Sequence, residues 1–302
     1  MAESRTPLPP GTLWPAARER ARRALARGAL RPVETESLTR ADGGVGFQLR
    51  VVSSLGRKDE DLRRREGVSP PAANPFLPYD PDLYVADVSD THVCLLNKFN
   101  VIEHHLLVVT RAFEHQESLL DDRDFAALAA CLAQGPGLGF YNGGETAGAS
   151  QPHKHLQVVP LPLADAGPAV PVEAVFAPGE PGRIRRVPRL PFRHAWVRLD
   201  ASALDAPAQS TSLLQGLYRR LLEEAGISVR RIDGQERQGA PYNLLVAREW
   251  MLLVPRSRER FETVSVNALG FAGSLFLRNR DELRRVEQCG PMAVLRSVGV
   301  AT

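Results

Sequence analysis

Residues 151–160 read "QPHKHLQVVP", which sets His153, His155 and Gln157 at every second position in a chain with seven histidines. Side chains alternate faces along a β-strand, so an extended conformation points these three the same way and turns Lys154, Leu156 and Val158 to the other face. Three chemistries compete for such a pair of imidazoles. The first is metal binding, because zinc accepts neutral imidazole; the remaining ligands would have to come from Cys94, His92, His104 or His105, none of which falls in a ligand spacing. The second is structural, with both rings hydrogen-bonded in a half-buried strand. In the third, one ring is a nucleophile. A histidine with an ordinary pKa near 6.5 offers a nitrogen lone pair at neutral pH without a separate base. It can attack phosphorus, form a phosphoramidate and be regenerated by a second nucleophile.

A phosphoryl site must also neutralise developing negative charge. The stretch "NGGETAGAS", which includes Asn142, Gly148 and Ser150, precedes the histidines and is rich enough in glycine to bring backbone N–H groups close to phosphate oxygens. Ser150 and Gln157 add neutral donors, and Lys154 or Lys58 could add positive charge.

The elements that would position these groups are legible in part. Residues 45–53 read as a strand, followed by a long loop dense in proline and charge. "HVCLLN" and "HLLVVT" read as an antiparallel pair. "DDRDFAALAACLAQG" is a helix, with acids at its start and glycine past its end. "GPGLGFYNGGETAGAS", with six glycines, is expected to be a loop before the histidine strand. "PGEPGRIRRVPRLP" reads as a linker or covering loop. "QSTSLLQGLYRRLLEEAG" is a second capped helix, and "YNLLVA" with "WMLLVP" makes another strand pair. This order predicts an antiparallel α+β fold. The two strand pairs hint at a duplicated unit, of which the second copy has no HxH.

With 302 residues, 43% of them hydrophobic and 24% charged, the chain reads as a soluble globular protein. A net charge of +3 and a pI near 8.9 suit an anionic small substrate but are too mild for nucleic acid, since no dense Lys/Arg stripe interleaves with aromatics. No apolar run is long enough to span a membrane, and the N-terminus lacks a signal core. "RERARRALARGAL" reads as a solvated amphipathic helix. Three cysteines without CxxC spacing suggest reduced thiols in a cytoplasm. No carboxylate cluster marks a metal site, so no tightly bound cofactor is expected, and Mg²⁺ would accompany a nucleotide.

"YNGGETAGASQPHKHLQVVPLP" resembles the active-site segment of the ATP adenylyltransferase, or diadenosine tetraphosphate phosphorylase, family. That family sits in the branch of the histidine triad (HIT) superfamily that also holds galactose-1-phosphate uridylyltransferase, where the motif is HxHxQ rather than three histidines. "NPFLPYDPDLYV", "THVCLLNKFNVIEHHLLVVTRAFEHQ" and "YNLLVAREWMLLVPRS" extend the likeness over roughly residues 45 to 300. The resemblance implies a HIT-like antiparallel sheet with flanking helices, duplicated with a degenerate second copy. It also implies a catalytic domain over 1–185 and an adenylyltransferase-type α+β domain over 186–302.

By the same resemblance His155 is the nucleophile and His153 orients the strand. Asn142, Ser150 and Gln157 surround the transferred phosphate, Asn97 and Phe99 wall the nucleoside, and Lys58 lies near the polyphosphate. The uridylyltransferases hold a metal with cysteines from an earlier loop, but "GVSPPAANPF" here has none, which argues against a structural metal and against hexose-phosphate transfer. The implied activity is transfer of AMP from diadenosine tetraphosphate to inorganic phosphate, giving ATP and ADP. Adenylyl sulfate as donor is the first alternative; a dinucleotide hydrolase and a nucleotide sensor without turnover are the others.

Overall fold

The computed structural model describes residues 8–52, 74–205 and 207–302. Lys58, together with Arg57, Arg63, Arg64 and Arg65 of the long charged loop, lies outside the described residues. After helix α1 (Leu13–Ala26) comes a hairpin of β1 (Thr35–Asp42) and β2 (Val45–Val52). Strands β3 (Tyr84–Asp87), β4 (His92–Leu96) and β5 (Leu106–Thr110) lead to helix α2 (Asp122–Leu132), then to β6 (Gly137–Gly143) and β7 (His155–Pro160). Strands β8 (Ile184–Arg185) and β9 (Ala195–Arg198) precede helix α3 (Pro207–Glu224). Two hairpins follow, β10 (Val229–Ile232) with β11 (Gln235–Gln238), and β12 (Tyr242–Ala247) with β13 (Trp250–Pro255). The chain then runs through β14 (Arg260–Phe261), β15 (Val264–Ser265), α4 (Ala268–Phe271), β16 (Ser274–Leu277), α5 (Arg280–Cys289) and α6 (Pro291–Val298).

Nine of the strands form one antiparallel sheet in the order β3-β4-β5-β7-β6-β12-β13-β9-β8. The pairing of β6 with β12, which sets Asn142 opposite Asn243, joins residues from either side of the 185/186 boundary within that sheet. One face is covered by α1, α2 and α3, whose Ala17, Phe125, Leu128, Leu214 and Leu221 share a core with Leu156 and Val158 of β7. The other face packs against the three-stranded sheet β1-β2-β16 and the C-terminal helices, with Phe47, Leu49, Val159, Leu275 and Leu295 in a second core. Burial on both faces explains why β4, β6, β12 and β13 read as continuous apolar or glycine-rich runs rather than alternating ones.

Two sequence expectations are corrected here. The glycine-rich stretch is not all loop, because Gly137–Gly143 is the fully buried strand β6 at the middle of the sheet. A Cβ on Gly139 would stand 2.6 Å from Cδ1 of Leu128. Glycine there lets α2 press on the strand instead of loosening it. The segment 151–160 is also not one strand. Regular pairing starts at His155, while His153 makes an isolated bridge with His115.

Candidate active site

Strand β7 lies between β5 and β6, with His155 opposite Val109 and Gln157 opposite both Leu107 and Phe140. The β6–β7 ladder stops at Phe140 and Gln157. Beyond it the strands part, and residues 152–154 pair instead with residues 114–116 through Lys154 N–H to the Glu114 carbonyl (2.8 Å) and Gln116 N–H to the Pro152 carbonyl (2.7 Å). The side chain of Gln116 fills the fork. Its Oε1 accepts from His155 N–H at 2.9 Å, while Nε2 donates to the Asn142 carbonyl at 2.9 Å and the His155 carbonyl at 3.2 Å. One buried amide thus replaces the missing rungs and opens the sheet beside His155.

The tautomer of His155 follows from its neighbours. Nδ1 stands 2.8 Å from the His153 carbonyl, which can only accept, so Nδ1 carries the proton and Nε2 keeps the lone pair. The ring is buried against Phe76, with centroids 5.4 Å apart. Burial pushes its pKa down to about 4, so the ring is neutral at physiological pH. His153 has no such free nitrogen. Its Nε2 lies 2.8 Å from the Thr110 carbonyl and therefore donates; its Nδ1 accepts at 2.9 Å from Nδ2 of Asn74, whose oxygen is occupied by Phe76 N–H.

Gln157 is oriented by a chain that also ends on the backbone. Oδ1 of Asn97 accepts from Phe99 N–H at 3.3 Å, which turns Nδ2 toward Nδ1 of His105 at 3.2 Å. Nε2 of His105 must then donate, and it meets Oε1 of Gln157 at 2.9 Å. Both hydrogens of the Gln157 amide remain for a ligand. Burial also pushes His105 down to about 4, so this chain carries no charge. Asn142 is fixed in the same way. Its Oδ1 accepts from Ala268 N–H at 2.9 Å and from Nδ2 of Asn243 at 2.8 Å, which leaves its Nδ2 to the cavity.

These groups line one cavity of about 810 Å³. It brings together His155, Gln157 and Asn142 with Gly148 and Ser150, and it has Asn97 and Phe99 in its wall. A Cβ on Gly148, whose φ is +91°, would stand 3.0 Å from the backbone of Asn267, so glycine is required at this point of the rim. His153 stands behind the wall and supports the cavity through its carbonyl bond to His155 and the edge contact of its ring with Phe76.

Lys154 is not in the site. Strand alternation sends it to the helical face, where its Nζ lies 2.5 Å from Oδ2 of Asp124 and 3.1 Å from Oε2 of Glu114, with the lysine 1% exposed. Burial works against that charge, but the Asp124 carboxylate beside it holds the ammonium above its usual range. Asp124 also caps α2 and meets Nε2 of His92 at 3.1 Å, so the network pins the start of the histidine segment to α2 from behind.

The sequence reading missed Gln116, Asn243, Asn74 and Asn267, and weighed His105 only as a metal ligand. Gln116, Asn243 and His105 act across tens of residues through bonds to backbone or an amide, Asn74 through the His153 ring and Asn267 by packing against Gly148, which leaves no spacing between partners to detect. Among the described residues no group of three or more His, Cys, Asp or Glu is placed to hold a metal. No helix among them is long and apolar enough to cross a membrane.

Residues 3–178 match the Ap4A phosphorylase N-terminal domain, and residues 188–301 match the ATP adenylyltransferase C-terminal domain. The chain belongs to the Ap4A phosphorylase and ATP adenylyltransferase family of nucleotidyltransferases. It is 27% identical over 239 residues to diadenosine 5',5'''-P1,P4-tetraphosphate phosphorylase 2 of Saccharomyces cerevisiae, covering 72% of each chain. It is 25% identical over 278 residues to protein APA1 of the same yeast, covering 86% of this chain and 85% of the relative. The crystal structure of yeast Ap4A phosphorylase Apa2 superposes with a TM-score of 0.78 at 23% identity, over 97% of this chain and 96% of that one. A structure of the same yeast enzyme in complex with Ap4A gives 0.74 at 20% identity, over 97% and 99%. The fold of this family member is therefore that of the yeast phosphorylase.

Proposed function

We propose that this family member moves AMP from diadenosine tetraphosphate to inorganic phosphate through Nε2 of His155. The observation that carries this reading is the free Nε2 lone pair of a neutral, buried histidine, facing a cavity into which the Gln157 and Asn142 amides are turned as donors. The lone pair attacks the α-phosphorus of one AMP unit. The bond from that phosphorus to the bridging oxygen breaks, and ATP leaves with the oxygen and its electrons. Phosphate then attacks the phosphoramidate, returning the electron pair to Nε2 and releasing ADP. The leaving polyphosphate is a stable anion, so it needs no proton from Gln157, whose amide can only donate hydrogen bonds.

A second cavity of about 710 Å³ adjoins the first across Gly148, Ser150 and Gln151, so a donor longer than one nucleotide has room to extend. Adenylyl sulfate would need only the first cavity, and this difference favours the dinucleotide. Mg²⁺, in our reading, enters on the polyphosphate. The buried thiols of Cys94 and Cys131, both free, suit the cytoplasm we assign to the protein.

The test is the dependence of ADP on phosphate, together with the intact mass of the protein mixed with donor and no phosphate. We expect ADP only when phosphate is present, and an acid-labile increment of one AMP that His155→Ala abolishes. Release of AMP by water alone, or an adduct that survives in His155→Ala, would refute the scheme.

A further inference from the structure

Among the buried cations that the mechanism does not use, Arg256 differs from Lys154 in touching no carboxylate among the described residues. Arg256, which follows β13, is 2% exposed and reaches the Ala147 carbonyl beside Gly148 of the cavity rim. Its Nη1 donates to Oδ1 of Asn243 at 2.6 Å and to the carbonyls of Val266 at 2.8 Å and Ala147 at 3.2 Å. Nη2 donates to the carbonyls of Arg258 at 2.9 Å and Glu259 at 3.1 Å, and Nε to that of Val298 at 3.2 Å. Six acceptors surround the guanidinium, and every one is neutral. Among the described residues Arg256 makes no ion pair; the nearby Glu259 carboxylate favours its charge but is turned to Arg260 (2.6 Å) and Ser265 (2.5 Å) and does not touch it.

A buried charge without a counter-ion is costly even when its hydrogen bonds are complete. Burial lowers the pKa of this guanidinium to about 10, yet at neutral pH it stays charged. What it faces gives a reason for keeping it. Asn243 cannot turn over, because Nη1 requires an oxygen opposite it. Its Nδ2 must therefore donate to Oδ1 of Asn142 (2.8 Å) and to the Ala147 carbonyl (2.8 Å). Asn142 in turn presents Nδ2 to the cavity. Arg256, Asn243 and Asn142 form a relay in which each amide dipole points its positive end away from the cation and toward the ligand. Such aligned bonds polarise one another. Arg256 and Asn243 also share the Ala147 carbonyl, which anchors the loop bearing Gly148 and Ser150.

We propose that Arg256 is a positioning residue whose buried charge, relayed through Asn243 and Asn142, is matched by the phosphate of the bound nucleotide rather than by a contacting carboxylate among the described residues. This rests on the reading of the cavity as a nucleotide phosphate site. Among the described residues this buried cation touches no carboxylate, only the Phe271 ring and neutral acceptors, and binding an anion adds the missing counter-charge. Discrimination between a nucleotide and its nucleoside should depend on the relay.

The decisive variant is Asn243→Asp, nearly isosteric with the parent. It gives Arg256 a counter-ion, but its carboxylate cannot donate to Oδ1 of Asn142, so the relay is both neutralised and reversed. Calorimetric affinities for AMP and for adenosine, with urea midpoints, would be measured in the parent, Asn243→Asp, Arg256→Lys and Arg256→Met. We expect the parent to prefer AMP, and Asn243→Asp to lose about tenfold or more of the AMP-to-adenosine ratio with adenosine affinity kept. Arg256→Lys, which retains the charge but not the fork, should keep more of the ratio than Arg256→Met. The proposal is overturned by an unchanged ratio in Asn243→Asp, by equal losses for AMP and adenosine, by a parent that does not prefer AMP, or by Arg256→Lys and Arg256→Met having the same ratio. Should Asn243→Asp not fold, the last comparison decides alone. A parent that prefers AMP yet forms no ADP from the dinucleotide would refute the proposed reaction and leave the relay standing.

Discussion

The sheet fork beside His155 rests on one side chain, and its removal has a magnitude that follows from the bonds. Gln116 is 1% exposed and satisfies the His155 N–H, the His155 carbonyl and the Asn142 carbonyl. Each such group left buried without a partner costs about 1–3 kcal/mol. In Gln116→Ala the vacated amide volume can hold a water that restores some of these bonds, so the expected loss of stability is about 2–4 kcal/mol. That is a sizeable part of a net stability of roughly 5–15 kcal/mol. The catalytic loss has a separate origin. With the rungs gone, β6 and β7 can shift against each other, and a displacement of about 1 Å at a reacting atom costs on the order of 10²-fold in rate. The near-isosteric Gln116→Glu sharpens the test. It still accepts from His155 N–H, but an ionised carboxylate would oppose two carbonyl oxygens, so its function should recover partly as pH falls from 8 toward 6 and the carboxyl takes a proton. The assay is single-turnover formation of the covalent adduct, normalised to folded protein, beside urea unfolding of each variant. A Gln116→Ala protein that is destabilised as expected but adenylylated within threefold of the parent rate would refute the argument that this amide places His155.

Acid should unfold the protein early. His105 and His155 titrate near 4 in the fold against an ordinary 6.5, so the unfolded chain binds more protons between these values. Stability is then held above pH 6.5 and falls as pH drops toward 4, with a slope of up to about 2.7 kcal/mol per pH unit for two protons; urea midpoints that stay flat from pH 7 to 4.5 would contradict it. His105→Phe, which cannot hold Oε1 of Gln157, should lower kcat about tenfold to 10²-fold with a smaller change in KM, read by steady-state kinetics; a loss confined to KM would make Gln157 a binding group only. Lys154→Met leaves the Asp124 carboxylate buried beside His92 and should cost about 3–5 kcal/mol in urea unfolding, while AMP affinity at a temperature where the variant is folded stays near the parent value. A selective loss of AMP binding would return Lys154 to the site.

What the sequence disclosed, and what it hid, follows from the range of the forces involved. Helices α2 and α3 are visible because burial of one side imposes a period on the chain, and the strand pairs β4–β5 and β12–β13 because burial makes them short continuous apolar runs. Strand β6 is hidden because close packing against Leu128 demands glycine, the residue that otherwise signals a loop. Strand β1 has almost no buried residue and shows no apolar pattern at all. Lys154 was legible and was still misplaced. The alternation that puts His153, His155 and Gln157 on one face already forbids it to reach the phosphate, and its charge is met instead by Asp124 and Glu114 on the helical side.

The choice between His153 and His155 lies at the limit of such reading. Both share a face and a residue type, and both are buried. What separates them is where regular pairing begins. At His155 the strand pairs with β5, with Gln116 on its other side, and the ring folds back on the carbonyl of residue 153. At residue 153 the chain has changed partners to 114–116, so the ring falls against the Thr110 carbonyl on one side and Asn74 on the other. A backbone carbonyl thus fixes the proton in each ring, on Nδ1 of His155 and on Nε2 of His153. The nitrogen left with its lone pair faces a ligand cavity in one case and a protein amide in the other. Two identical side chains two residues apart acquire different chemistry because the ladder around them changes between the two positions, and Gln116 is the group that makes the change possible.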